Sequence, residues 1–260
     1  MCDVAAFLHT LVRIRESIYP RHNYDWTERQ VSIRMSQKNI EVVIKRMGVH
    51  QYFKSLSDLE QIIRCPGKFK YQHHSVASHS FKVTKIAQFL GTVEEEFGQK
   101  VDWKVLYEKA LNHDYAELFT GDIKTPVKYA SQELKQLFSE VEEEMTRKFV
   151  EKELPQEFQA IYLERFKEGK DETLEGRILS VADKIDLLYE AFGEIQKANP
   201  EPLFLEIYEE ALRTILLFDD MNCVKYFLKH ILTDMLSERF TEHDELTGIA
   251  MQIIGEHGGE

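Results

Sequence analysis

The stretch "GRILSVADKIDLLYEAFGEI", Gly176 to Ile195, limits the possible folds more than any other part of the chain. Its apolar residues Ile178, Val181, Ile185, Leu188 and Phe192 recur every three or four positions. That period lines one face of an α-helix, whereas a half-buried strand would alternate every second residue. "SFKVTKIAQFLGTVEEEF" repeats the pattern with Phe81, Ile86, Phe89, Leu90 and Val93 on one stripe, and "EIYEEALRTILLF" and "CVKYFLKHILTDML" repeat it again. Only six prolines and twelve glycines interrupt 260 residues, and β-branched alternation is scarce. The spacing predicts an all-α fold of many helices, and a hydrophobic content of 43% suffices for its core.

Breaks fall at Cys65-Pro66-Gly67, Thr120-Gly121-Asp122, Thr125-Pro126 and Asn199-Pro200. None is long enough to link domains. The expected organisation is a helical extension over residues 1–60 packed on the core, a main domain over 61–237, and a tail over 238–260 that frays.

Charge and cysteine usage remove several classes. Forty-five acidic against 33 basic residues leave a formal net charge of -12, which disfavours a nucleic-acid polymer as partner. A small anion is still permitted, because a local basic cluster or metal ion outweighs distant charge. Cys2, Cys65 and Cys223 are scattered without CxxC spacing, so neither a disulfide framework nor a thiolate zinc site is expected. The first residues show no signal peptide, and no run approaches the roughly 18 apolar residues of a membrane span. The expected location is cytoplasmic, with no membrane partner.

Four side chains then stand out: His79, His113, Asp114 and Asp183. Two imidazoles and two carboxylates suit one divalent transition ion, such as Mn, Co, Fe, Ni or Zn, with Mg the weaker candidate. Adjacent helical residues diverge by about 100°. For His113 and Asp114 to share an ion, the helix must widen or end there, and Thr120-Gly121 soon afterwards is compatible with an ending. Glu117 lies three residues beyond Asp114 and four beyond His113, so it shares their face and could move a proton. Asp122, at the turn, is a second acid–base or hydroxyl-binding candidate. Lys124 and Lys128 flank Thr125-Pro126 and could face a phosphate, and Arg64 offers a bidentate fork for one. Taken singly, each of these residues is commonplace; the ordered combination is rare.

With those residues in place, the chain resembles the HD-domain phosphohydrolase superfamily, and more narrowly the bacterial 5′-deoxynucleotidases of the YfbR type. The likeness rests on His79-Ser80, on His113-Asp114-Tyr115-Ala116-Glu117, on the run from Thr120-Gly121-Asp122 to Thr125-Pro126-Val127-Lys128-Tyr129, and on Ala182-Asp183. It implies that His79, His113, Asp114 and Asp183 hold one divalent ion and that Glu117 and Asp122 are the catalytic carboxylates. Arg64, Thr125 and Lys128 would bind substrate. The implied reaction is attack of a metal-activated water on a nucleoside 5′-monophosphate, by a homodimer. Cys65 stands where the family has Trp, Ser78 where it has Glu, and Lys124 where it has Pro. Two alternatives stay open: another HD hydrolase, such as a deoxynucleoside triphosphohydrolase, or a nucleotide-binding regulatory module without turnover.

Overall fold

The computed structural model describes residues 33–36, 39–42, 49–123, 130–167 and 169–257. The chain divides into two compact units, Met1–Arg46 and Met47–Glu260.

In the first unit, β1 (Ile33–Ser36) pairs antiparallel with β2 (Asn39–Val42). Ile33 stands opposite Val42, Met35 opposite Ile40, and Arg34 opposite Glu41. Residues 33–36 and 39–42 are therefore not helical, contrary to the expected helical extension. The apolar–polar alternation is present in both strands, but four residues are too few for a period of two to stand out.

The second unit is all-α among the described residues, as the periodicity predicts. Its helices are α1 (Val49–Gln61), α2 (Val76–Glu96), α3 (Trp103–Asn112), α4 (Glu117–Thr120), α5 (Gln132–Glu153) and α6 (Gln156–Arg165). They continue with α7 (Leu174–Ile195), α8 (Leu203–Leu216), α9 (Asn222–Tyr226), α10 (Leu232–Ser237) and α11 (His243–His257). A π-helical turn, Phe227–Ile231, joins α9 to α10. The unit begins at Met47 rather than at residue 61, so α1 belongs to it.

Helix α7 is the axis, and α2, α3 and α8 pack against it. Its residues Ile178, Val181, Ile185, Leu188 and Phe192 are buried, in a core shared with Val83, Leu90, Leu106, Tyr208 and Leu212. The stripe expected on α2 is corrected in part. Leu90 and Val93 are buried, but Phe81 and Phe89 are exposed and the buried line runs through Val76, Val83, Ala87 and Leu90. Phe81 lies two positions from Val83, about 200° round the helix, which puts it on the opposite face.

A second, smaller core joins α1, α5 and α6. Leu59, Val76, Tyr115, Val150, Leu154 and Phe166 form it, and the Tyr115 ring stacks on Phe166 with centroids 4.0 Å apart. The segment expected to fray at the C-terminus is α11. His243, Leu246, Ala250 and Ile253 are buried at spacings of three and four, so this face is core rather than tail.

Candidate metal centre

Local sequence brings Arg64 and His79 together. Ser75 caps α2, accepting from the Ser78 backbone N–H while Ser78 Oγ accepts from Ser75 N. Ser78 thus completes a reciprocal cap. Just before this cap the chain forms an antiparallel bridge between Ile63 and Ser75, and Arg64 N donates to His74 O at 2.9 Å. The bridge carries Arg64 back to the start of α2, one turn from His79.

The His113-Asp114 pair sits where α3 ends, as its geometry requires. The turn tightens instead of widening: Tyr115, Glu117, Leu118 and Phe119 donate backbone bonds to the third residue before each. Tyr115, anchored in the smaller core and bonded through its hydroxyl to Ser55 Oγ at 2.7 Å, holds this turn in place. Gly121, at φ 71°, closes α4 in a left-handed conformation open to glycine at little cost.

His79, His113 and Asp114 meet as one potential metal-binding group. His79 Nε2 lies 3.2 Å from His113 Nε2, and each nitrogen is 3.3 Å from Asp114 Oδ2. Asp183 Oδ1 reaches the same His79 nitrogen at 3.1 Å. The outer nitrogens are already engaged: His79 Nδ1 meets Asp186 Oδ2 at 2.7 Å, and His113 Nδ1 meets Ala110 O at 2.9 Å. Both partners are acceptors, so in the neutral rings each Nδ1 carries the hydrogen and each Nε2 turns a lone pair inward. Two lone pairs and two carboxylates thus converge with no donor of their own. A divalent cation satisfies this arrangement, and the residues fit one. A proton on His79 Nε2 would also relieve this convergence. Burial opposes charge on His79, but Asp114, Asp183 and Asp186 outweigh it and raise its pKa to about 10. Burial likewise opposes the charge on Asp114, yet His113 and His79 hold it well below the usual carboxylate range.

Glu117 lies beside this cluster. Its Oε2 is buried and has no hydrogen-bond partner among the described residues. Burial, then the charges of Asp114 and Asp122, push its pKa up to about 9. Asp122 Oδ2 accepts from Cys65 N at 2.6 Å, tying the Thr120-Gly121-Asp122 turn to the Arg64 loop. Cys65 adopts φ 50°, a strained value for a non-glycine residue. Arg64 NH1 is 3.6 Å from Asp114 Oδ2. Lys124, Thr125 and Lys128 lie outside the described residues.

Three neighbours of the expected Asp183 escaped the sequence reading: Asp186, Glu190 and Glu194. Asp183, Asp186, Glu190 and Glu194 are all buried along one edge of α7, spaced three, four and four apart. Each takes a polar partner from a neighbouring segment. Asp183 takes His79 and Lys170, and Asp186 takes His79 and Lys82. Glu190 takes Arg64, while Glu194 accepts the backbone N–H groups of Tyr71 and Gln72 at 2.9 and 2.8 Å. The signal was available: carboxylates at helical spacing inside an otherwise apolar helix. Lys170 reaches Asp183 because its loop lies close to Gly176, where a Cβ would come within 2.6 Å of the Asp171 backbone.

Known proteins resemble this chain in sequence and fold. The family model for YfbR-like 5′-deoxynucleotidases matches residues 51–235. The 5′-deoxynucleotidase YfbR of Escherichia coli is 28% identical over 166 residues, 64% of this chain and 83% of that protein. An HD-domain phosphohydrolase from Listeria innocua, solved by crystallography, superposes with a TM-score of 0.77 at 64% identity, covering 81% of this chain and all of that one. The HD phosphohydrolase DatZ of cyanophage S-2L, solved with dA and one catalytic zinc, has the same fold. Its TM-score is 0.51 at 16% identity, over 71% of this chain and 96% of its own. Among the described residues, no helix is long and apolar enough to cross a membrane.

Proposed function

This chain belongs to the YfbR-like 5′-deoxynucleotidase family and is a metal-dependent phosphohydrolase; from that premise we propose which of its residues carry the reaction. His79, His113, Asp114 and Asp183 hold one divalent ion, with Mn, Co, Fe, Ni or Zn suiting two imidazoles and two carboxylates better than Mg. When bound, that ion supplies Lewis-acid polarisation and neutralises phosphate charge. The substrate is a (deoxy)nucleoside 5′-monophosphate, and the products are phosphate and a nucleoside.

The protein's own groups do the rest. Arg64 binds phosphate oxygens beside Asp114, with Thr125 and Lys128 as further contacts. Glu117 accepts a proton from the attacking water or returns one to the leaving 5′-oxygen. Asp122, with Oδ2 committed to Cys65, presents its other oxygen to a substrate hydroxyl. The enzyme works as a cytoplasmic homodimer, as its family membership suggests.

The observation that carries this reading is the convergence of the two imidazole Nε2 atoms, 3.2 Å apart, on the Asp114 and Asp183 carboxylates, with the Glu117 oxygen that has no partner among the described residues beside them. The test is phosphate release from paired 5′-dNMPs and 5′-NMPs after chelation and reloading with Mn, Co or Mg. Metal-dependent release from monophosphates is expected. Release of intact triphosphate from dNTPs alone, or no turnover of any nucleotide, would overturn the substrate assignment.

A further inference from the structure

Arg64 is held at its backbone from three sides. Its N–H donates to His74 O, its carbonyl accepts from Lys70 Nζ, and the next residue's N–H donates to Asp122. These bonds leave the direction of the side chain undetermined. Two carboxylates flank its guanidinium: Glu190 Oε2 lies 3.3 Å from Nε and Asp114 Oδ2 lies 3.6 Å from NH1. Arg64 is 9% exposed and Glu190 4%.

Glu190 has no structural need that explains its charge. It sits on an apolar stretch of α7 between Leu188 and Ala191, and its Oε1 has no hydrogen-bond partner. A buried, half-satisfied carboxylate is costly, and an apolar residue of similar volume would pack there at lower cost. Its one side-chain hydrogen-bond partner among the described residues is the Nε of Arg64. An arginine bonded through Nε keeps its NH1/NH2 end open, and that end is the planar fork that matches two phosphate oxygens.

We propose that Glu190 is a positioning residue for phosphate recognition: by taking Nε, it aims the NH1/NH2 end of Arg64 at the space beside Asp114, where a phosphate monoester dianion binds. Asp186 and Glu190, one turn apart on α7, thus have separate duties. Asp186 orients a metal ligand and Glu190 orients the phosphate ligand. The inference rests on the function proposed above, and its test separates the two.

The experiment is a double-mutant cycle on the full chain loaded with Mn2+, titrated with inorganic phosphate, alongside steady-state kinetics on a 5′-dNMP. Glu190→Gln keeps the volume and removes the charge. It should weaken phosphate binding and raise KM about tenfold, the usual worth of a charge-assisted bond. Affinity for Mn2+ should stay within about threefold, since the two couplings are separate. Glu190→Asp should recover part of the loss. Glu190→Gln placed on Arg64→Ala should add nothing, because the group it positions is gone. Additive losses, an unchanged phosphate affinity in Glu190→Gln, or a fall in Mn2+ affinity of the same size would each overturn the proposal. A wild type that binds no phosphate would do so too. If phosphate binding shows the non-additive cycle while no monophosphate is hydrolysed, the role of Glu190 stands and the nucleotidase reading falls.

Discussion

Asp186 Oδ2 lies 2.7 Å from His79 Nδ1, and the same carboxylate meets Lys82 Nζ through its other oxygen at 3.0 Å. Asp186 therefore fixes both the tautomer and the ring plane of His79, the proposed metal ligand, from the side away from His113 and Asp114. Such outer partners typically carry a factor of about 10–100 in metal affinity. Asp186→Ala should weaken Mn2+ binding by that factor, measured by competition with a chelating dye, with little change in helix content by circular dichroism. Unchanged affinity would mean that packing alone orients His79.

Metal binding should release protons. Without an ion, the convergent carboxylates keep His79 protonated up to about pH 10, well above the ordinary imidazole value. The ion needs the neutral ring, so it must displace that proton. The sign follows directly: affinity rises with pH, by about tenfold per unit for each proton displaced, until His79 loses its proton unaided near pH 10. Calorimetry in buffers of different ionisation enthalpy at pH 7.5 should show about one proton released for this group. Affinity that is flat between pH 6 and 9 would contradict the geometry of the site.

Two buried tyrosines should respond oppositely to loss of the hydroxyl. Tyr208 is fully buried and its hydroxyl has no partner, a condition that also raises its pKa to about 12. Tyr208→Phe removes an unsatisfied polar group and should stabilise the chain by about 1 kcal/mol. Tyr115 bonds Ser55 and holds the His113-Asp114 turn. Tyr115→Phe should cost about 1 kcal/mol. Thermal melts of the metal-free proteins distinguish the two, and a loss of stability in Tyr208→Phe would mean that a bound water satisfies that hydroxyl.

The all-α body was legible because long helices repeat their apolar period many times, as α7 does over 22 residues. The β1–β2 pair was not, because four-residue strands hold only two repeats of theirs. His79, His113, Asp114 and Asp183 were found by residue type and order, and the structure brings the first three together, with Asp183 reaching them through His79. Asp186 and Glu190 were missed for a physical reason. Acidic residues on a helix usually face water, and only tertiary packing turned this edge of α7 inward. Phe81 failed in the other direction: its hydrophobicity suggested core, but its angle on α2 places it outside.

Glu117 provides the sharpest test of the chemistry. It shares a face with Asp114, one turn on, and its buried Oε2 has no partner among the described residues. Burial and the neighbouring Asp114 and Asp122 charges raise its pKa to about 9, so in the metal-free protein it is largely protonated at pH 7. A divalent charge nearby would lower that value toward neutrality, the range in which a carboxyl both accepts and donates a proton readily. Glu117→Gln keeps the size and polarity but can do neither. It should lower kcat by about 10²–10⁴ while metal and phosphate affinities hold, since Glu117 contributes to neither. The pH profile of the wild type should lose its acid limb in any residual activity of the variant. A variant that keeps full kcat would assign the proton transfer to Asp122, whose charge acts on Glu117 and whose second oxygen is not the one bonded to Cys65. A variant that loses metal as well as turnover would make Glu117 a ligand, and its present lack of a partner would then mark a coordination position.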